Sequence, residues 1–322
     1  MRYRDDREQQ SKGRRSKLQP THKDAIDGFV TVVDRGRFTV ALDFDTNSPR
    51  TIYAIKSRNL GRKGVVVGDY VRLVGDTSGD KDTLARIIEI KERATLLRRT
   101  ADDADSDEKP IVANAEIVAI VQALKDPEPR IRFIDRCIVA ALAEGIEPIV
   151  VLTKSDLASD EHIREMMQGL DVKVFTVNKN EGHKELLDFI THHRTVFIGH
   201  SGVGKSTLVN ALTPTAQQST GDVNDVTGRG RHTTTAAFAI QLPQGGWIID
   251  TPGVRGFGLG HIEADSLIDF FPELTEGTNE CPRGCKHVGA ECALDAWVEK
   301  EAIHHSRLDS LRRLITSMSS EN

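Results

Sequence analysis

Cysteine is scarce in this chain, four in 322 residues, which excludes the disulfide framework that staples small secreted domains. No run of eighteen consecutive apolar residues occurs, so no membrane-spanning helix is predicted. The first 23 residues lack the apolar core of a secretory signal, and the chain reads as cytoplasmic. Two enzyme signatures are missing as well. Residues 199–203 read Gly-His-Ser-Gly-Val, with valine where the second glycine of G-x-S-x-G belongs, which removes a serine hydrolase. The glycines between 253 and 260 never form G-x-G-x-x-G, which removes a dinucleotide fingerprint. An excess of positive charge is also absent, since the net charge of −5 argues against a simple polycation that coats nucleic acid. That average conceals an asymmetry. Arg2, Arg4, Arg7, Lys12, Arg14, Arg15, Lys17 and Lys23 face only Asp5, Asp6 and Glu8, a net +5 in a polar arm. Such an arm either neutralises RNA phosphates or is a solvated tail, and charge alone does not separate the two.

What is present describes a soluble globular protein, with 38% apolar and 28% charged residues, long enough for two or three domains. Between residues 27 and 99, short β-branched runs alternate with glycines: 28–33, 37–42, 51–55, 65–67, 70–74 and 84–90. Five or six strands in so short a span predict a small closed barrel, with an OB-fold the leading candidate. Residues 100–110 are acidic and end in proline, which predicts an exposed linker after the basic arm (1–26) and the barrel (27–99). An α/β alternation then begins. Strands are expected at 116–124, 147–152 and 172–177 and helices at 132–143, 161–169 and 186–192, the pattern of a parallel sheet covered on both faces. This second domain is expected over 111–262 and a C-terminal module over 263–322.

Gly199-His200-Ser201-Gly202-Val203-Gly204-Lys205-Ser206-Thr207 fills the G-x-x-x-x-G-K-[ST] phosphate-binding template without a mismatch. A β-branched apolar run precedes it, and Leu208, Val209 and Leu212 follow at helical spacing. Glycines let backbone N–H groups turn inward around phosphates, Lys205 can reach the β- and γ-phosphates, and Ser206 offers a hydroxyl to Mg²⁺. Asp250-Thr251-Pro252-Gly253 follows a second apolar run, so Asp250 can hold Mg²⁺ through water and the Gly253 N–H can sense the γ-phosphate. Thr153-Lys154-Ser155-Asp156 ends a third, and a carboxylate there accepts from two donors on a guanine edge, for which adenine has no match. Taken alone, the tetrapeptide reads rather as a strand-to-helix turn with Ser155 or Asp156 as an N-cap; together with the other two boxes it predicts GTP or GDP binding.

The order of these boxes is unusual. Ordinary GTPases run phosphate loop, D-x-x-G, then N-K-x-D, whereas here the base-reading box precedes the phosphate loop by about forty-five residues. The arrangement is a circular permutation, which surface termini permit without change to the sheet. Farther on, Cys281-x₃-Cys285-x-His287-x₄-Cys292 puts three thiols and an imidazole within twelve residues, and predicts a closed, structural Cys₃His zinc site with Pro282 and Gly284 in its tight turn. Cys137 falls in an apolar helical run and reads as a core thiol. His304 and His305 have no other ligand types at metal spacing and read as a solvated face; residues 296–318 predict one or two amphipathic helices.

A barrel, a permuted GTPase and a Cys/His cluster together resemble the RsgA/YjeQ family of small-subunit ribosome-assembly GTPases, over about residues 27 to 300. The resemblance implies a monomeric GTPase stimulated by the small ribosomal subunit, acting late in its maturation and touching rRNA through barrel and zinc module. Gly228-Arg229-Gly230-Arg231-His232-Thr233-Thr234-Thr235 is similar to the family's switch segment, in which Thr234, with Thr233 as the alternative, completes the Mg²⁺ shell. Val254 follows the D-x-x-G, where many GTPases carry a water-orienting glutamine. The resemblance implies that His232 replaces it. Thr153 stands where the family has asparagine, which implies a weaker contact to base or phosphate loop, and residues 177–182 only loosely match the loop that cups the guanine. A second reading remains beside hydrolysis: an RNA-binding scaffold that holds nucleotide as a switch or structural ligand, which Val254 keeps open.

Overall fold

The computed structural model describes residues 24–61, 64–80, 82–99, 109–214, 237–251, 262 and 264–319. The basic arm to Lys23, and His232, Thr233, Thr234, Gly253 and Val254, lie outside the described residues.

Strands β1 (Ile26–Asp34), β2 (Arg37–Leu42), β3 (Arg50–Lys56), β4 (Tyr70–Gly75) and β5 (Ala85–Ile90) close into a barrel in the order β1-β2-β3-β5-β4-β1. Only the β3–β5 pair is parallel. Alternation supplies its core: Phe38, Val40 and Leu42 of β2 meet Ile52, Val71, Leu73 and Ile87 inside. Gly28 is required by close packing inside the barrel, since a Cβ there would lie 2.5 Å from Val40 and 2.7 Å from Leu73. The run 65–67, expected as a strand, is not one. Asp69, buried and held by Arg93, captures the Val66 N–H at 2.8 Å, which turns the chain so that only Val67 makes a bridge, to Val112.

β6 (Leu96–Arg99) and β7 (Lys109–Ala113) form a hairpin on either side of the acidic stretch, so Lys109 and Pro110 belong to a strand. The second domain is built on β8 (Ile117–Ala123), β9 (Glu147–Thr153), β10 (Lys173–Thr176), β11 (Arg194–Ile198), β12 (Phe238–Gln241) and β13 (Trp247–Asp250). Their spatial order is β10-β9-β8-β11-β13-β12, parallel throughout except for β12. Every residue of β8 is buried, as a strand covered on both faces requires. Helices α1 (Ile131–Ala143) and α2 (Glu161–Gln168) cover one face, and α3 (His183–Ile190) and α4 (Lys205–Leu212) the other. The phosphate-loop strand β11 therefore lies between the strand pair ending in the base box and the strand ending in Asp250, the topology that a permuted chain must preserve. Val32 pairs with Phe238, so β1 joins β12, and Phe29, Tyr70 and Trp247 pack at that junction with ring centroids 5.0–5.5 Å apart.

The C-terminal module packs α5 (Pro272–Thr275), α6 (Leu294–Lys300) and α7 (His305–Ser319) around Leu267, Phe271, Leu294, Leu311 and Leu314. Arg307 of α7 pairs with Glu273 within the module and fastens it to the sheet domain through Asp171 at 3.0 Å and the Gly169 carbonyl at 3.1 Å. Among the described residues no helix is long and apolar enough to cross a membrane.

Asp135 of α1 is buried with its carboxylate 3.3 Å from Arg313 of α7; burial, only partly offset by that guanidinium, pushes its pKa up to about 6. The folded protein then keeps a proton that the unfolded chain gives up near pH 4. Stability from this group is therefore complete below about pH 4 and falls as pH rises to about 6, by on the order of 3 kcal/mol at most. Urea unfolding of wild type and Asp135→Asn at pH 4.5 and 7.5 checks this: the variant should gain on wild type at the higher pH, and a constant difference would reject the assignment.

Candidate nucleotide-binding site

Residues 199–204 span the gap from the end of β11 to the start of α4 at the centre of the sheet. Two glycines here are dictated by geometry. A Cβ on Gly199 would sit 2.6 Å from the Val121 carbonyl, and Gly204 has φ +86°, where a side chain is strained. Val203 is buried and pins the loop to the α3–α4 side of the core, while Ser201, Gly202, Ser206 and Thr207 are exposed. His200 leans on Phe133 of α1, ring centroids 4.3 Å apart. Lys205 Nζ pairs with the Asp250 carboxylate, and both side chains are about nine-tenths buried. Thr251 donates to the Phe197 carbonyl at 3.0 Å and so fixes the chain just after Asp250 to the phosphate-loop strand.

Beside the loop opens a cavity of about 360 Å³. Asp156 and Leu157 lie on one wall, Asn178 and Lys179 on another, and Gly204 and Thr207 at its junction with the phosphate loop. Asp156 is exposed to it with both carboxylate oxygens available as acceptors. Lys154, at φ +57°, donates to the Asp126 carbonyl, which lays its stem along the cavity. Ser155 is held twice, its N–H donating to the Val177 carbonyl at 3.3 Å and its hydroxyl accepting from Asn178 at 3.3 Å. Asn178 in turn accepts from the N–H groups of Asn180 (2.8 Å) and Glu181 (3.0 Å), so one side chain shapes the whole 177–182 loop. The Thr153 hydroxyl donates to the Val203 carbonyl at 2.5 Å, so a short side chain ties base box to phosphate loop directly. The cavity meets the glycine loop at Gly204, next to Lys205 and its partner Asp250.

Residues 90–260 match the family described as RsgA GTPase. The small ribosomal subunit biogenesis GTPase RsgA of Klebsiella pneumoniae is 38% identical over 270 residues, 80% of this chain and 76% of that protein. The protein of the same name in Chlorobaculum parvum is 32% identical over 307 residues, 92% of this chain and 99% of its own. This chain belongs to the RsgA GTPase family. By that membership it is a GTP hydrolase. Solved structures agree: YloQ, described as a circularly permuted GTPase, superposes with a TM-score of 0.65 at 25% identity over 94% of this chain and 98% of its own. YjeQ from Thermotoga maritima gives 0.64 at 25% identity, over 91% and 98%.

This RsgA-family chain also brings its four C-terminal candidate ligands together, with donor atoms all within 4.8 Å of one another. Cys281 Sγ lies 3.9 Å from Cys292 Sγ, and His287 Nδ1 lies 3.7 Å from both. A tetrahedral zinc with ordinary bond lengths needs sulfurs about 3.8 Å apart and a sulfur–nitrogen separation of about 3.6 Å, so the donor set fits that ion. Cys285 closes a turn on Pro282, N–H to carbonyl 3.1 Å, with Gly284 at φ +75°. Cys137 is fully buried in the sheet core, where burial drives its thiol far above the ordinary range. His304 and His305 are exposed, as expected. Sequence reasoning missed Leu157 and His183 in the cavity wall and Asn178 as organiser of the 177–182 loop; a large exposed apolar residue directly after the base box was the available signal for Leu157.

Proposed function

We propose that this protein hydrolyses GTP to GDP and phosphate while assisting late maturation of the small ribosomal subunit, whose rRNA it contacts through barrel and zinc module as a cytoplasmic monomer. The observation that carries the nucleotide part is the cavity bearing Asp156, continuous through Gly204 with the loop at Lys205. In this reading the Asp156 carboxylate accepts from the guanine edge while Leu157 and the Lys154 stem flank the base. Backbone N–H groups of 199–207 receive the phosphates, and Lys205 turns from Asp250 to the β- and γ-phosphates. Ser206, Asp250 and Thr234 are the residues suited to hold Mg²⁺, which when bound neutralises charge on the transferring phosphoryl group. Gly253 reports the γ-phosphate and His232 orients water when the subunit is bound. Cys281, Cys285, His287 and Cys292 hold a structural zinc, supported by the tetrahedral spacing of their donors.

The test is phosphate release from GTP and from ATP, with and without purified small ribosomal subunits. GTP-selective release that rises with subunits is the expected result. His232→Ala should remove the stimulated rate and leave GDP affinity unchanged; parallel loss of affinity would discard its role. Val254 favours one alternative, an assembly scaffold with little turnover, and tight GTP binding without stimulated release would choose it. Asp156→Asn gives a separate check on base selection. Two charge-assisted hydrogen bonds at about 1.5–3 kcal/mol each predict at least a 100-fold loss of GDP affinity, measured by titration calorimetry. Retention within fivefold would place the base elsewhere.

A further inference from the structure

Helix α1 is buried between two partners. Phe133, Ile134, Cys137, Ile138 and Ala141 belong to the sheet core, whereas Val139 belongs to the core of the C-terminal module. Asp135 lies one turn before Val139 and faces that module too. Phe133 and Asp135, two residues apart, project about 200° from one another around the helix. One side of a single turn therefore touches His200 of the phosphate loop, and the other faces Arg313 of α7.

Both ends of this line are anchored. The start of α1 is fixed by Gln122 of β8, which accepts from the Arg130 N–H at 3.1 Å and donates to the Val121 carbonyl at 2.9 Å. Val121 is the residue whose carbonyl crowds Gly199. At the other end, Arg312, next to Arg313, makes a bidentate pair with Asp295 at 2.7 and 2.8 Å and donates to the His287 carbonyl at 3.0 Å. The Cys/His cluster and the phosphate loop are thus joined by one short relay, His287–Arg312–Arg313–Asp135–Phe133–His200.

The seam between α1 and α7 is adjustable where the pair sits. A cavity of about 300 Å³ opens there, lined by Arg132, Asp135, Arg313, Thr316 and Ser317. Asp135 Oδ1 and the Arg313 Nη2 approach to 3.3 Å without a hydrogen bond between them, although both atoms are buried. A buried pair of such geometry does not repay its desolvation, and an apolar replacement would hold the helices together at least as well. Its physical yield is register, since the charges select one setting of α7 against α1.

We infer that Asp135 and Arg313 are positioning residues for the phosphate loop, coupling the docking of the Cys/His module to nucleotide affinity through α1. The inference rests on the nucleotide reading above. It makes α1 a connection independent of the chain that runs from Asp250 into the module. Coupling of this kind is reciprocal, so bound nucleotide tightens the module's docking by the factor with which docking tightens nucleotide.

The test uses the full chain loaded with zinc. GDP affinity is measured with a fluorescent analogue, and hydrogen exchange is followed at residues 199–204 and 305–319. Arg313→Met should weaken GDP roughly tenfold, within the usual span of such couplings, and raise exchange at 199–204 while zinc content stays at wild type. Phe133→Leu should reproduce the effect at the loop without raising exchange in α7, and the double variant should lose no more than the worse single one. GDP affinity within twofold of wild type in Arg313→Met, together with faster exchange in α7, would reduce the pair to an adhesive contact and overturn the inference. Additive losses in the double variant would overturn it equally. If Arg313→Met does not fold, Asp135→Asn, which keeps the volume of the acid, decides by the same affinity criterion. Failure of wild type to bind GDP would instead strike the nucleotide reading itself.

Discussion

Lys205→Ala should lower kcat/KM for GTP by about 1,000-fold or more, the cost expected when a preorganised cation is removed from the site of developing phosphoryl charge. Position and burial make the effect large. Lys205 and Asp250 are paired with only 10% and 9% of their side chains exposed, so the substitution removes attraction for the triphosphate and also leaves a buried carboxylate beside it. Breaking one side of a buried pair costs about 3–5 kcal/mol in stability, so a lower melting temperature should accompany the loss of turnover. Single-turnover phosphate release and nucleotide titration separate the two components. A variant that hydrolyses within tenfold of wild type would show that Lys205 does not meet the phosphates.

Removal of zinc, or Cys292→Ala, should unfold the C-terminal module while leaving the barrel and sheet intact. Cys292 is a ligand candidate and also part of the module's core, beside Leu294 and Leu311. Structural zinc contributes about 10–16 kcal/mol of apparent binding free energy at neutral pH, comparable to or above the net stability of a whole domain. A chelator should therefore collapse hydrogen-exchange protection over residues 264–303 and release one zinc per chain, with protection of the barrel strands unchanged. Because thiols and imidazole bind as deprotonated ligands, retention should weaken as pH falls. Purified protein that holds no zinc and ignores the chelator would show that the four side chains merely lie close.

The elements most legible from sequence were those whose geometry admits few residue types. The phosphate loop could be read because Gly199 and Gly204 occupy places closed to a Cβ, by contact with Val121 in one case and by positive φ in the other. The barrel was legible from alternation, except at residues 65–67. That run has the composition of a strand, yet an aspartate two residues beyond it takes a backbone N–H and bends the chain. The base box lay at the limit of legibility. Asp156 looks like an ordinary turn residue until the parallel β9-β8-β11 order brings the end of β9 toward the phosphate loop. Asn178 and Leu157 fell beyond that limit, because polar and apolar residues in loops have many uses and only neighbours distant in sequence choose among them.

The sequence by itself determined the motifs on offer: a complete phosphate-loop template, a carboxylate in a base-box tetrapeptide, a Cys₃His donor set, and an order of motifs that demands a permuted sheet. These are properties of residue type and short spacing, fixed by covalent geometry and ligand preference before any packing occurs. Only the tertiary structure decided how the parts bear on one another. Thr153 reaches Val203 across fifty residues, Lys205 finds Asp250, and Asp135 meets Arg313 from a distant part of the chain. Such contacts arise when helices and strands are brought to a common core, and burial then sets which charges face each other and how strongly they interact.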